Sequence, residues 1–252
     1  MEKIKITEQY TAEKINEADF VFELEKNWKI RPAWVRIVKS NKPMGRFARI
    51  QIPETGEIFY RAFGRYFIPY DYTNAEEQRF MDAMAGEYDQ MVADKFNKPM
   101  AKALLFSLPL KKIDKNAHVL DLGCGTGILT ELLKKEGFSK FTLVDFSKGM
   151  LAQTAKKLKN DKHLNYEVMD ITKKLPKENF DLVVSVMLFN TFDEKTTDKI
   201  LSRLVKHMSE ESIFGVLEDS KKTAYFKYFN TLISKIINTG LRDKYIFVGV
   251  KK

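Results

Sequence analysis

From residue 117 onward, short apolar runs alternate with stretches of helical periodicity, and this alternation narrows the possible folds more than any other feature of the chain. "HVLDLG", "KFTLVDF", "NYEVMD", "FDLVVSVML", "SIFGVLED" and "YIFVGV" read as strands. Between them, "ILTELLKKEG", "KGMLAQTAKKLKN", "EKTTDKILSRLVKHMS" and "TAYFKYFNTLISKIIN" read as helices. In the third of these, Ile200, Leu201, Leu204, Val205 and Met208 share one face. Strands that are apolar almost throughout, with helices between them, bury both faces of a parallel sheet. The expected fold class is therefore α/β, a doubly wound, mostly parallel sheet. Such sheets bind ligands beyond the carboxyl ends of their strands.

The front of the chain has a different texture. Residues 12–27 read as a helix, while "AWVRIVK" and "RFARIQI" alternate as half-buried strands do. "IQIPETGEIFYRAF" reads as a hairpin around Pro-Glu-Thr-Gly. Residues 1–72 are thus expected to form a small α+β accessory unit, and 73–252 the main domain. The pattern turns helical at Asn74, a candidate N-cap with Glu77 three residues on.

Bulk properties agree. The 252 residues are 44% hydrophobic, enough for a real core. No run is long and apolar enough to span a membrane, and the opening "MEKIKITEQY" has no apolar signal region. With a single cysteine, Cys124, a reducing, cytoplasmic location is expected. His118, His163 and His207 are scattered without ligand spacing, so no metal is expected. The net charge is +9, and residues 26–70 hold ten basic against two acidic side chains. That stretch suits an anionic partner or simply a solvated surface.

The loop chemistry is concentrated in "VLDLGCGTGILT", where Gly123, Gly125 and Gly127 join a strand to a helix. Glycine there permits positive φ and close approach of a ligand, and the helix start offers free N–H donors. A P-loop would need Gly-Lys-Ser/Thr, which is missing. A dinucleotide loop reads G-x-G-x-x-G, whereas here the third glycine comes one residue early. Asp121, two residues before the first glycine, would repel a pyrophosphate and favour an ammonium, directly or through water. On its own the loop leaves nucleotide cofactors open. Asp145 ends the second strand and can accept both hydroxyls of a ribose, with Phe146 beside the base. Asp170 ends the third strand and can accept from an adenine amine. A phosphate-free nucleoside with an amino-acid tail satisfies all three strand ends.

With these residues in place, 80–252 resemble the class I S-adenosylmethionine-dependent methyltransferases. "VLDLGCGTG" looks like their first motif, "VDFSKGML" their second-strand motif, and "VMDITKKLPKENFDLVVSV" the third and fourth together. "FMDAMAGEYDQM" resembles a segment of the ubiquinone/menaquinone-biosynthesis-like branch, which implies that Tyr88 lies over the methionine end of the cofactor. The resemblance implies S-adenosylmethionine as cofactor, with S-adenosylhomocysteine as product. It is implied to contact Asp121, Gly123, Cys124, Gly125, Thr126 and Gly127 in the loop. It is further implied to contact Asp145, Phe146, Ser147 and Met150 after the second strand, and Asp170, Ile171 and Met187 beyond. Only about ten residues follow Gly240, where the family has two more strands. The sheet is therefore expected to be shortened at its C-terminal end.

The implied reaction is methyl transfer by in-line displacement to a small organic, aromatic or anionic metabolite. Leu188, Phe189, Asn190, Tyr66 and Tyr70 are candidates to line its site, and Arg61 or Arg65 to hold an anion. No general base is assigned. The stretch "SVMLFNTF" lacks the (Asn/Asp)-Pro-Pro-(Tyr/Phe) type of motif used on exocyclic base amines. The basic, aromatic 26–70 stretch keeps RNA or protein methylation open as an alternative. The same unit could instead be a docking or homo-oligomerisation module, and a binding-only subunit of a methyltransferase complex is a further alternative.

Overall fold

The structure is a computed structural model; it describes residues 3–6, 11–20, 30–37, 46–51, 58–62, 65–69, 78, 81–82, 85–86, 88–90, 93–238 and 243–252. The chain divides into two compact units, 1–80 and 81–252.

The first unit is a sheet of β1 (Lys3–Ile6), β2 (Thr11–Lys14), β3 (Ile30–Ile37), β4 (Phe47–Gln51), β5 (Ile58–Ala62) and β6 (Arg65–Pro69), ordered β1-β3-β6-β5-β4-β2. The expected hairpin is present, with Gln51 opposite Ile58. Of the helix expected over 12–27, the described residues show only 17–20 as helical. Thr11–Lys14 instead extends the sheet against β4, and Asn16 accepts the Asp19 N–H at 2.8 Å, which starts a helical turn only at residue 17. Residues 21–29 and 74–77 lie outside the described part. Phe47, Phe59, Tyr60 and Phe67 are buried, and Phe20 packs on Phe47 and Phe67 with ring centroids 5.6 and 5.5 Å apart. These aromatics are the unit's own core and not a stacking surface. Trp28, Phe63 and Tyr70 lie outside the described residues, as do the side chains of Trp34 and Tyr66.

The second unit carries β7 (His118–Leu122), β8 (Lys140–Asp145), β9 (Leu164–Val168), β10 (Phe180–Val186), β11 (Met208–Glu218), β12 (Phe229–Asn238) and β13 (Asp243–Lys251). Among the described residues they form one sheet, ordered β12-β13-β11-β10-β7-β8-β9. The five strands from β11 to β9 are parallel, and β13 and β12 are antiparallel additions. The doubly wound, mostly parallel α/β sheet is therefore present. Helices α1 (Lys98–Ser107), α2 (Ile128–Lys135) and α3 (Lys148–Lys157) cover one face through Leu104, Leu133 and Leu151. Helices α4 (Glu194–Leu204) and α5 (Ala224–Tyr228) cover the other through Ile200, Leu204 and Tyr225. Val119 and Leu120, neighbours in β7, go to opposite cores, as the period of two in a strand requires.

The expected shortening needs correction. All seven strands are present among the described residues, and "TAYFKYFNTLISKIIN" is the five-residue α5 followed by the ten-residue β12. Phe229 ends the helix by turning inward to stack on Phe214, with centroids 4.5 Å apart. Ile233 and Ile237 then pack on the core at a spacing of four, which one face of a helix and one face of a strand both satisfy. β-branched residues at 231, 233, 236 and 237 favour the strand. What the chain lacks here is a long helix, not a strand.

Candidate functional site

The chain runs from β7 to β8 and β9 on one side and then to β10 and β11 on the other, so the strand order reverses between β7 and β10. The glycine loop leaves β7 at that point, where open α/β sheets form their binding crevice. Gly123, Gly125 and Gly127 all have positive φ, 65°, 54° and 77°. Gly127 is the N-cap of α2, and a Cβ there would lie 2.6 Å from Thr154 Cγ2, so it serves the packing of α2 on α3. A Cβ on Gly125 would meet nothing within 4 Å, so that part of the loop faces open space. Gly123 lies under Leu188, whose Cδ1 would be 3.0 Å from an added Cβ.

The strand-end acids are arranged differently from one another. Asp121 is 2% exposed, and its Oδ2 accepts the Thr130 hydroxyl at 2.6 Å. It is turned inward beneath the loop. Asp145 accepts the Gly125 N–H on Oδ2 and the Ser147 N–H on Oδ1, each at 2.9 Å. The Phe146 N–H also reaches this carboxylate, which has about four acceptor sites in all. Asp170 is half-buried and accepts the Thr172 N–H and hydroxyl at 3.0 and 2.6 Å, with Lys173 Nζ 3.1 Å away.

Burial pushes Asp121 up to about 7 and Asp145 up to about 6. The acids also act on one another: Asp145 raises Asp121, and Asp82 raises Asp145. Burial alone would raise Asp170 as well, but the bonds from Thr172 and Lys173 outweigh it and hold that acid below its ordinary value. A crevice floored by buried acids of this kind favours a ligand that brings positive charge.

Gly123, Gly125, Phe146, Asp170, Met187, Leu188, Asn190 and Tyr88 retain partial exposure around this crevice. Cys124, Thr126, Gly127, Ser147, Met150 and Ile171 are buried. Ser147 caps α3 by accepting the Met150 N–H at 3.1 Å and donates to Asp82 at 2.6 Å, so its hydroxyl is already occupied. Phe189, expected to line a substrate site, is fully buried among Phe192, Phe214 and Tyr225. The aromatic core claims it, which leaves Leu188 and Asn190 of that turn beside the crevice.

Residues 119–211 match the family described as a methyltransferase domain. That stretch, 93 of the 252 residues, is similar to methyltransferases. A malonyl-[acyl-carrier protein] O-methyltransferase of Bacillus anthracis is 30% identical over 139 residues, 54% of this chain and 49% of that protein. The chain spans less than half the length of the curated relatives it matches. The N-methyltransferase NodS of Bradyrhizobium japonicum WM9, solved with S-adenosyl-L-homocysteine, shares the fold. The match has a TM-score of 0.52 and 16% identity, over 60% of this chain and 85% of that one. Phosphoethanolamine N-methyltransferase 1 of Haemonchus contortus does so with a TM-score of 0.54 and 16% identity, over 71% of this chain and 50% of that one.

Four residues of the second unit that sequence reasoning passed over organise the crevice. Asp82 accepts from the Ser147 hydroxyl and the Gly149 N–H at the start of α3. Asp89, next to Tyr88, accepts from the Thr126 hydroxyl and pairs with Lys157, each at 2.5 Å. These two acids tie the 81–90 segment to the loops after β7 and β8. Burial raises the Tyr88 phenol, and Asn97 holds its hydroxyl. Arg203 of α4 donates to the carbonyls of Ile171, Thr172 and Lys173 at 2.8, 3.1 and 2.9 Å, fixing the loop that carries Asp170. Glu218 ends β11 as a fourth strand-end acid, fully buried and pushed by that burial up to about 8. Its position in "GVLED" repeats the pattern of Asp121 and Asp145, a signal present in the sequence.

Proposed function

We propose that the protein is an S-adenosylmethionine-dependent methyltransferase acting on an oxyanion, in the first place the carboxylate, of a small organic acid. The observation that carries the cofactor part is the tie between Asp145 and Gly125, which brings a nucleoside-reading acid against a glycine loop open to a ligand. The residues fit the group. Asp145 would accept the ribose hydroxyls, the open backbone at Gly125 would receive the methionine end, and Asp170 would face the adenine amine. The ligand's positive charge would offset the buried negative charge of Asp121 and Asp145. When bound, the cofactor supplies an already activated methyl group on a sulfonium. The chain's part is to hold acceptor and methyl in line and to exclude water, with Leu188 and Met187 flanking the crevice.

The acceptor follows from two supports. The relative of Bacillus anthracis named above is a malonyl-[acyl-carrier protein] O-methyltransferase. In this chain, His118 opens β7, His163 directly precedes β9 and His207 directly precedes β11, so all three lie at the amino ends of strands, opposite the crevice. A carboxylate is ionised at neutral pH and needs no base to remove a proton before attack. A phenol or an amine would need one.

Calorimetry with S-adenosylhomocysteine tests the first part, and no heat of binding at high micromolar protein would refute it. Incubation with S-adenosylmethionine and a panel of small dicarboxylic acids and their carrier thioesters tests the second, read as methyl ester by mass spectrometry. Ester formation is expected. Methylated RNA or methylated amine in its absence would transfer the assignment to those classes.

A further inference from the structure

We infer that Glu218 is a positioning residue for the methyl-transfer site: it clamps the turn after β10 and thereby seats Leu188 on Gly123. This rests on the reading of the glycine loop as a cofactor loop. The geometry forms a short chain of contacts. Glu218 Oε1 accepts the Phe189 N–H at 3.0 Å, and Oε2 accepts the Asn190 N–H at 3.0 Å. With its nitrogen turned inward, the Asn190 amide donates to the Met187 carbonyl at 2.8 Å and to Glu218 Oε2 as a further bond. The Leu188 N–H also reaches it, so one carboxylate gathers donors from three consecutive residues. The residue before this turn, Met187, has φ of 60°, a left-handed value that a side-chain-bearing residue holds only where its surroundings impose it. Its N–H is fixed by the Leu217 carbonyl at 2.8 Å, one residue before Glu218. Between the two anchored ends stands Leu188, the residue lying on Gly123.

The arrangement answers a question that the burial of Glu218 raises. An acid held fully out of water at a strand end costs stability unless its acceptor capacity is used. Here the capacity is used on the backbone of the turn that borders the crevice. An apolar residue at 218 would fill the same volume and leave the N–H groups of 189 and 190 without acceptors. The turn would then leave its strained geometry, and Leu188 would leave the loop.

The test is a double-mutant cycle on S-adenosylhomocysteine affinity, with Glu218→Gln, Leu188→Ala and the pair. Glutamine keeps the shape and one acceptor, and near-UV circular dichroism verifies that the variant folds. Each single change is expected to weaken affinity about tenfold, and the pair no more than the weaker-binding single. Unchanged affinity in Glu218→Gln, or losses that multiply to about a hundredfold in the pair, overturns the inference. A second readout needs neither ligand nor variant. The Phe189 and Asn190 amides of the wild-type chain are expected to exchange with deuterium far more slowly than an open loop, and unprotected amides overturn the clamp. If the wild-type chain binds no S-adenosylhomocysteine while those amides are protected, the cofactor reading fails and the clamp stands.

Discussion

The carboxylate of Asp145 and the backbone N–H of Gly125 are joined by a 2.9 Å hydrogen bond, so the acid at the end of β8 is fixed to the middle of the loop that follows β7. The same carboxylate holds the Ser147 N–H and so reaches the start of α3. Two consecutive strand ends thus act as one rigid edge, with acceptor capacity left over for a ligand.

Asp145→Asn tests that edge. The amide keeps the volume but presents an N–H₂ to one of its backbone donors, and the charge is lost. Hydrogen bonds to charged groups contribute about 2 kcal/mol. S-adenosylhomocysteine affinity is expected to fall about thirtyfold by calorimetry. Affinity within a factor of two of wild type would remove Asp145 from the site.

Gly127→Ala probes the packing behind the loop. The added Cβ sits at φ 77° and 2.6 Å from Thr154 Cγ2. Left-handed backbone with a side chain costs about 1–2 kcal/mol before any clash. The urea midpoint should fall accordingly. Adding Thr154→Ser removes the clashing methyl and keeps the hydroxyl that donates to the Gly125 carbonyl at 2.7 Å, so part of the loss should return. No recovery would place the cost wholly in the backbone.

Stability should decline with pH between 6.5 and 8.5. Asp121 at about 7 and Glu218 at about 8 stand above their unfolded values, so the folded chain binds more protons than the unfolded chain across this window. Their contribution is complete below the unfolded values near 4 and is lost as pH rises through the folded ones. His118, which burial holds below its ordinary value, acts in the opposite sense only below about 6.5, outside the window. Thermal melts should therefore drop steadily, and a melting temperature that climbs to pH 8.5 would contradict both assignments. A cationic ligand lowers the acids, so S-adenosylmethionine binding should release protons near pH 7, visible as a buffer-dependent heat.

Arg203→Met should loosen the loop that carries Asp170. Three carbonyl partners, at Ile171, Thr172 and Lys173, are lost at once. Hydrogen exchange over 170–174 should speed up, with a stability loss of about 1–2 kcal/mol. Unaltered exchange there would show that the loop holds its shape without the guanidinium.

The sequence revealed the large unit well because its signals were local. Apolar strands such as "DLVVSV" and helix faces such as Ile200, Leu201 and Leu204 repeat at unmistakable periods, and the loop glycines at 123, 125 and 127 announce positive φ. It misled at 224–238, where a spacing of four fits a helix and a strand alike and the stacking of Phe229 on Phe214 decided the matter. It misled at 12–27 for a related reason: the edge of β4 captured Thr11–Lys14.

For the site, the residue types at the strand ends were legible, but the direction of each side chain was not. Asp121 and Asp145 look equivalent in the chain. Only the fold turns one inward to Thr130 and leaves the other at the loop edge. Phe189 looks like a site residue until an aromatic core formed from β11, α5 and β12 surrounds it. Glu218, Arg203 and Asp89 reach partners 28 to 68 residues away, and no local pattern encodes such pairings. Periodicity and composition act between neighbours along the chain, so the sequence by itself determined the elements and their alternation. The assignment of each carboxylate to a backbone donor or to a ligand depends on which distant groups the packed sheet brings within 3 Å, and the tertiary structure alone decided that.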